Sequence, residues 1–442
     1  MRLRDALLAA SVLAAAAPRA RAQLTPRELT IAGGVDHHAA EAVALLERIV
    51  NINSGTMNFA GVRQVGDILR AQLDSLGFRT RWVDGASFNR AGHLVAEHPG
   101  RGPKILLIGH LDTVFEPASP FQRFTKVNDT TATGPGIIDM KGGDVIILTA
   151  LKALRDAGAL ADLNVTAVFD GDEEAAGTPV SAARQALVDA AQGAAVAIGF
   201  EDGPGDPTLA VIARRGATTW KLTATGLTGH ASQIFREDLG AGAVNEAARI
   251  LGEFYQKLAG EQYLAFSAGL ILGGSGVTID STLTSGTATG KTNVIAGQVT
   301  VTGDMRTISP EQLNRTEAAM REIASHHLPH TGATVEFLEG GYPPLAPTEG
   351  NGRLLTLFDR ASRDLGFGAV TATDPARAGA ADVAFVAGIV PMIIDGVGLS
   401  GHDDHSDKET ANLRMLPVQA KRAAVLLHRI GGMTDLPASV RP

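Results

Sequence analysis

Apolar residues recur at helical spacing in Ala40–Val50 (AEAVALLERIV) and again in Val62–Leu76, where Gly77 offers a C-cap, so the pattern predicts two helices early in the chain. His37 and His38, just before the first, read as turn residues. Short continuous apolar runs follow at His93–Ala96 and Ile105–Ile108 and, beyond a helical Asp144–Ala157, at Val165–Phe169 and Val196–Phe200. Runs of that length between polar loops predict buried strands. Strand alternating with helix implies a mixed, mostly parallel sheet flanked by helices, an α/β fold that gathers ligands at the carboxyl ends of its strands. After Arg214-Arg215-Gly216 the texture changes. Thr218–Thr225 alternates polar and apolar residues, and helix Gly242–Leu258, strands Leu264–Ile271 and Gln298–Met305, and helix Pro310–His327 follow. These elements read as an inserted α+β module of ferredoxin-like type over 215–331. A helix near Leu354–Leu365, a strand Pro391–Asp395 and a final helix Leu416–Ile430 return to the first texture, so the main domain is discontinuous, 23–214 and 332–442.

A chain of 442 residues is long for a single core, which agrees with two domains. Hydrophobic residues make up 45% and aromatic residues only 5%, so the interior must be built from aliphatic side chains. A formal charge of −8 and the scarcity of stacking aromatics exclude phosphate-backbone binding as a main task, so no nucleic-acid partner is expected. Residues 1–22 read as an export signal: Arg2 and Arg4, an apolar Ala6–Ala17 too short to span a bilayer, then Ala20-Arg21-Ala22. Cleavage after Ala22 would remove a net +3 and leave −11, an exported, periplasmic or secreted protein with no membrane partner. With no cysteine, any metal site must use His, Asp and Glu.

Candidate chemistry sits where the strands end. Ile105–Val114 delivers His110 and Asp112 at i, i+2 spacing on one face, so Asp112 could orient His110 for a metal, although a satisfied core histidine would look the same. In Gly134-Pro135-Gly136-Ile137-Ile138-Asp139-Met140-Lys141-Gly142-Gly143, Asp139 precedes a helix, where a helix cap and a cation-bridging carboxylate are both open readings. Asp170-Gly171-Asp172-Glu173-Glu174 places four carboxylates within five residues at a strand end, which calls for a cation or for solvation. If one glutamate binds metal, its neighbour is free to shuttle protons. Glu201-Asp202-Gly203 ends a further strand, and Gly401-His402-Asp403-Asp404-His405-Ser406-Asp407 adds late histidines. Two histidines and several carboxylates suit a divalent ion such as zinc.

Taken in order, the segments GHLDTV, GIIDMKGG, DGDEEAAG, GFEDG and HSDKE resemble the zinc-dependent exopeptidases that include carboxypeptidase G (glutamate carboxypeptidase), aminoacylase-1 and succinyl-diaminopimelate desuccinylase. The resemblance covers nearly the whole mature chain. It implies the zinc exopeptidase fold with a lid that also dimerises, and two Zn²⁺ per subunit: His110, Asp139 and Glu201 on one, Asp139, Glu174 and His405 on the other. Asp139 would bridge them, and a cis peptide would join Asp139 to Met140. Two dications against three ligand carboxylates leave a net positive site for a bridging hydroxide, with Glu173 as general base. From the lid, His230 would reach across a homodimer interface to the oxyanion, while Asn293 and Arg306 would hold substrate. Arg377–Asp382, which includes Gly379, replaces a more glycine-rich substrate loop, and this departure leaves glutamate specificity open. The implied activity is release of a C-terminal amino acid, glutamate among the candidates, from a small acyl-amino acid or peptide. An aminoacylase or a dipeptidase is the alternative within the family. An exported, non-catalytic metal-binding protein is the alternative outside it.

Overall fold

The computed structural model describes residues 24–436, and the export signal read over 1–22 lies outside them. Thr25 caps the first helix: its hydroxyl accepts from the Glu28 N–H, the Glu28 carboxylate accepts from the Thr25 N–H at 2.7 Å, and Pro26 fills the first turn. Helix α1 (Pro26–Val50) therefore begins well before Ala40 and runs through His37 and His38, which correct from turn to helix. The reason is packing. The pair Gly33-Gly34 lowers local helix propensity, but Ile31 and Val35 are fully buried and Gly34 lies against Ala153, so tertiary contact overrides propensity.

The chain continues through α2 (Phe59–Ser75), β1 (Arg79–Asp84), β2 (Gly92–His98), β3 (Lys104–His110), α3 (Gly142–Asp156), β4 (Asn164–Asp170) and β5 (Ala194–Gly199). It then enters β6 (Gly216–Gly226), α4 (Gly242–Leu258), β7 (Ala265–Gly274), the hairpin β8 (Gly276–Ile279) and β9 (Gly286–Thr289), β10 (Gln298–Thr307), α5 (Pro310–Ser325) and β11 (Thr331–Phe337). It returns through α6 (Glu349–Asp364), β12 (Ile393–Ile394) and α7 (Met415–Gly431).

The main sheet has six strands in the order β1-β2-β4-β3-β5-β12, antiparallel for β1/β2 and β2/β4 and parallel for β4/β3, β3/β5 and β5/β12. It is the mixed, mostly parallel sheet that the apolar runs predict. In β3, Ile105 and Leu107 pack with α1, α3 and α7 on one face, while Leu106 and Ile108 pack with Leu187, Val383 and Val386 on the other. Burial on both faces explains why the strand reads as a continuous apolar run. Because β4 and β5 flank β3, the loops leaving their carboxyl ends converge on one crevice.

β6, β7, β10 and β11 form a separate antiparallel sheet in the order β7-β10-β6-β11. With α4 and α5 this is a β-α-β-β-α-β arrangement, and Trp220, Leu222, Val299, Val301 and Met305 pack there with Ile250, Phe254, Met320 and Ile323. β11 begins at Thr331, the residue at which the sequence pattern ends the inserted module, and its pairing with β6 carries the sheet on to Phe337. The Gly- and Thr-rich hairpin β8–β9 gives no apolar signal in the sequence. It lies across the sheet and is tied to it where the Thr302 hydroxyl donates to the Leu283 carbonyl at 3.1 Å. No helix among the described residues is long and apolar enough to cross a membrane.

Candidate metal centre

β3 ends at His110, whose ring is buried, with Nδ1 3.1 Å from the Asp112 carbonyl and 3.4 Å from its carboxylate. The Asp112 main-chain carbonyl accepts from Nδ1–H with the carboxylate close by, which leaves Nε2 to point into the crevice. The same carboxylate accepts the Thr56 hydroxyl at 2.6 Å and the N–H groups of Glu173 and Glu174 at 3.0 and 3.1 Å. Asp112 thus ties the end of β3 to the acidic turn that follows β4.

Asp139 lies between two histidines. One of its oxygens is 3.0 Å from His110 Nε2 and the other is 3.0 Å from His405 Nε2. Glu201, just beyond β5, places an oxygen 3.6 Å from His110 Nε2, and Glu174 places one 3.1 Å from His405 Nε2. The loop carrying Asp139 is held by Glu409, fully buried, whose carboxylate accepts the N–H groups of Gly136 and Ile138 at 2.9 Å and of Asp139 at 3.2 Å. The Asp139–Met140 peptide is cis. His110, Asp139 and Glu201 bring one ligand atom each to within 4.8 Å of one another, and so do Asp139, Asp404 and His405. The second set differs from the sequence reading by including Asp404. The exposed Asp404 and the nearly buried Glu174 compete for the same neighbourhood of His405, and we favour Glu174 because its second oxygen is buried with no hydrogen-bond partner in the structure.

The electrostatics of the crevice record crowded anions. Burial, together with repulsion from Asp382 and Asp139, pushes Glu173 up to about 8. Burial and repulsion from Asp139 push Glu174 up to about 8, and burial with Asp139 and Glu173 raises Glu201 well above the carboxylate range. Burial alone would raise Asp139 too, but hydrogen bonds from His110 and His405 hold it below the ordinary value. His405 is pushed up to about 11 by its bonds to Asp139 and Glu174. Burial opposes the charged form of His110, yet Glu201, Asp112 and Asp139 together raise it. A site of this kind favours added positive charge.

These groups open on a cavity of about 390 Å³ lined by Asp139, Glu173, Glu201, Asp202, Arg214 and Gly379 among others. A model of the peptidase family M20/M25/M40 matches residues 106–429, a span that contains every candidate ligand from His110 to His405. The chain belongs to that family. Carboxypeptidase G2 of Pseudomonas sp. (strain RS-16) is 26% identical over 430 residues, 96% of this chain and 97% of the relative. A succinyl-diaminopimelate desuccinylase of Rhodospirillum centenum is 26% identical over 226 residues, 48% of this chain and 57% of the relative. The solved aminopeptidase PepT of Bacillus cereus shares the fold with a TM-score of 0.69 and 17% identity, over 89% of this chain and 98% of that one. The peptidase thus carries its acidic crevice on a fold shared across its family.

Of the residues singled out in the sequence, the crevice of this peptidase brings together His110, Asp112, Asp139, Glu173, Glu174, Glu201, His405 and the Gly379 loop. It does not bring in the residues singled out in the inserted domain. His230 is exposed, bonded through Nδ1 to the Ser232 hydroxyl at 2.8 Å, and bridges to Val294 beside Asn293; Arg306 pairs with Asp304 at 2.7 Å. None of the three lines the cavity. Sequence reasoning missed Asp404, for which its place before His405 in an acidic run was a usable signal. It also missed Glu409 and the buried Arg214–Asp395 pair at 2.7 Å, which fastens the Gly379 carbonyl through the second Arg214 nitrogen at 2.9 Å.

Proposed function

We propose that this peptidase is an exported di-zinc exopeptidase that releases a C-terminal amino acid from an N-acyl or peptidyl substrate, with Glu173 as general base. The observation that carries the reading is the placement of Asp139, one oxygen at 3.0 Å from each of two histidines that otherwise belong to separate carboxylate groups. A carboxylate so shared fits two cations. The donor set, imidazole nitrogen and carboxylate oxygen without sulfur, fits zinc, and the unpartnered buried oxygen of Glu174 fits a ligand atom awaiting its ion. His110, Asp139 and Glu201 would hold one ion, and Asp139, Glu174 and His405 the other. When bound, the ions supply Lewis-acid polarisation of the scissile carbonyl and acidify water.

The chain's own residues do the rest. Glu173 stands beside the ligand Glu174 with its N–H fixed by Asp112, free to take a proton from the attacking water and pass it to the leaving nitrogen. His230, Asn293 and Arg306 would act from the lid of a partner subunit, His230 donating to the developing oxyanion and Arg306 gripping the terminal carboxylate. Full-length similarity to a relative named as a carboxypeptidase supports the direction of cleavage. The leader-like residues 1–22 support export.

The test is release of free amino acid from a panel of N-acyl amino acids, with N-acyl-glutamate first, and of dipeptides. We expect chelator-sensitive release by the zinc-loaded protein, and Glu173→Gln should abolish it while zinc content stays at the wild-type level. Wild-type turnover by Glu173→Gln would refute the mechanism, and preferred cleavage of unacylated dipeptides would favour the dipeptidase alternative.

A further inference from the structure

The two segments that join the lid to the main body run side by side. The N–H of Ala217 donates to the carbonyl of Tyr342 at 2.9 Å, and Arg214 and Leu345 exchange both backbone hydrogen bonds at 3.0 Å. The approach is close enough to demand glycine: a Cβ on Gly216 would sit 2.7 Å from the Pro344 nitrogen and the Tyr342 oxygen, and one on Gly341 2.1 Å from the Ala217 oxygen. This paired ribbon is the connection about which the inserted domain would hinge, and the Tyr342 side chain reaches from it into the body.

There its hydroxyl donates to the Glu173 carbonyl at 2.7 Å and accepts from Arg184 at 3.1 Å. Arg184 is itself buried and anchored on the Asp172 carboxylate at 2.5 Å, the Asp172 carbonyl at 3.1 Å and Asp382 at 2.7 Å. The carbonyls of residues 172 and 173 are thus held from the hinge side, while Asp112 holds the N–H groups of 173 and 174 from the β3 side. Burial and the nearby Glu173 and Asp382 raise the phenol far above its ordinary value, so the proton needed for this bond stays in place. The ring is steadied edge-on against Phe385, with centroids 5.0 Å apart.

We propose that Tyr342 is a positioning residue through which the hinge of the lid sets the backbone, and hence the side-chain aim, of Glu173. The proposal rests on the reading of Glu173 as general base. Movement of the lid must pass through the ribbon that carries Tyr342, so lid position and general-base geometry are coupled by one hydroxyl.

Tyr342→Phe removes that hydroxyl and keeps the ring. We expect kcat to fall roughly tenfold, as for loss of one well-placed buried hydrogen bond, with KM and zinc content unchanged. Amide hydrogen exchange should quicken in residues 172–177. Phe385→Leu, which loosens the ring packing but leaves the hydroxyl, separates packing from hydrogen bonding and should retain kcat. An unchanged kcat in Tyr342→Phe, a change in KM alone, or an equal loss in Phe385→Leu overturns the proposal while leaving the hydrolase reading intact. If the wild-type protein releases nothing from the panel, the hydrolase reading fails instead. Exchange in Tyr342→Phe then decides: faster exchange confined to 172–177 sustains the coupling of hinge to acidic turn, and unchanged exchange removes it.

Discussion

Asp139 and Glu174 lie 3.0 and 3.1 Å from His405 Nε2, and their hydrogen bonds push the imidazole up to about 11. An ion that takes the same nitrogen must displace the proton first. The sign follows: with His405 pushed up to about 11 and Glu174 up to about 8, protons compete for the ligand atoms as pH falls and affinity drops. Zinc added to the metal-free protein near neutral pH should therefore release more than one proton, and apparent affinity should climb between about pH 6 and 8. Calorimetry in buffers of different ionisation enthalpy measures both. Binding that is indifferent to pH across that range would remove His405 and Glu174 from the ligand set.

At the scale of elements, α3 begins three residues after Asp139 and is buried over almost its whole length, so the loop bearing the shared carboxylate is anchored to the core. Leu151, fully buried there, belongs to the main core and lies well along the helix from the loop. Leu151→Ala should lower stability by about 2–5 kcal/mol in urea unfolding, with zinc stoichiometry retained. A loss of zinc in proportion would mean that the loop depends on α3 more directly than its hydrogen bonds to Glu409 imply. The same elements explain what the sequence made legible. β3, β4 and β5 were readable because burial on both faces leaves unbroken apolar runs, and their ligands were readable because each ends such a run. The first half of α1 was hidden by Gly33-Gly34, whose helical state depends on contact with a distant helix. The hairpin β8–β9 was hidden because its Thr-rich strands are exposed. Arg184–Asp382 and Arg214–Asp395 join residues 198 and 181 positions apart, and no local pattern reports such a pair.

Across the whole molecule, His230, Asn293 and Arg306 stand apart from the cavity, so the roles proposed for them require the crevice of a second subunit. A twofold dimer in which each lid serves the partner's crevice would meet that requirement. It yields a sharp expectation: mixing Glu173→Gln with His230→Ala subunits, each inactive alone, should restore up to about a quarter of wild-type activity, because one site of each mixed dimer is intact. Assays before and after subunit exchange read this out, and no recovery would confine each site to its own chain. The discontinuity of the body also has a consequence in time. During synthesis His110, Asp139 and Glu201 emerge before any of the lid, whereas His405, Glu409 and α7 emerge only after all of it. The order of the polypeptide thereby becomes an order of assembly: the donors on β3, β4 and β5 are all present on a half-made chain, but the loop of Asp139 is fixed on both sides only when the carboxyl-terminal segment brings Glu409 and His405 to it.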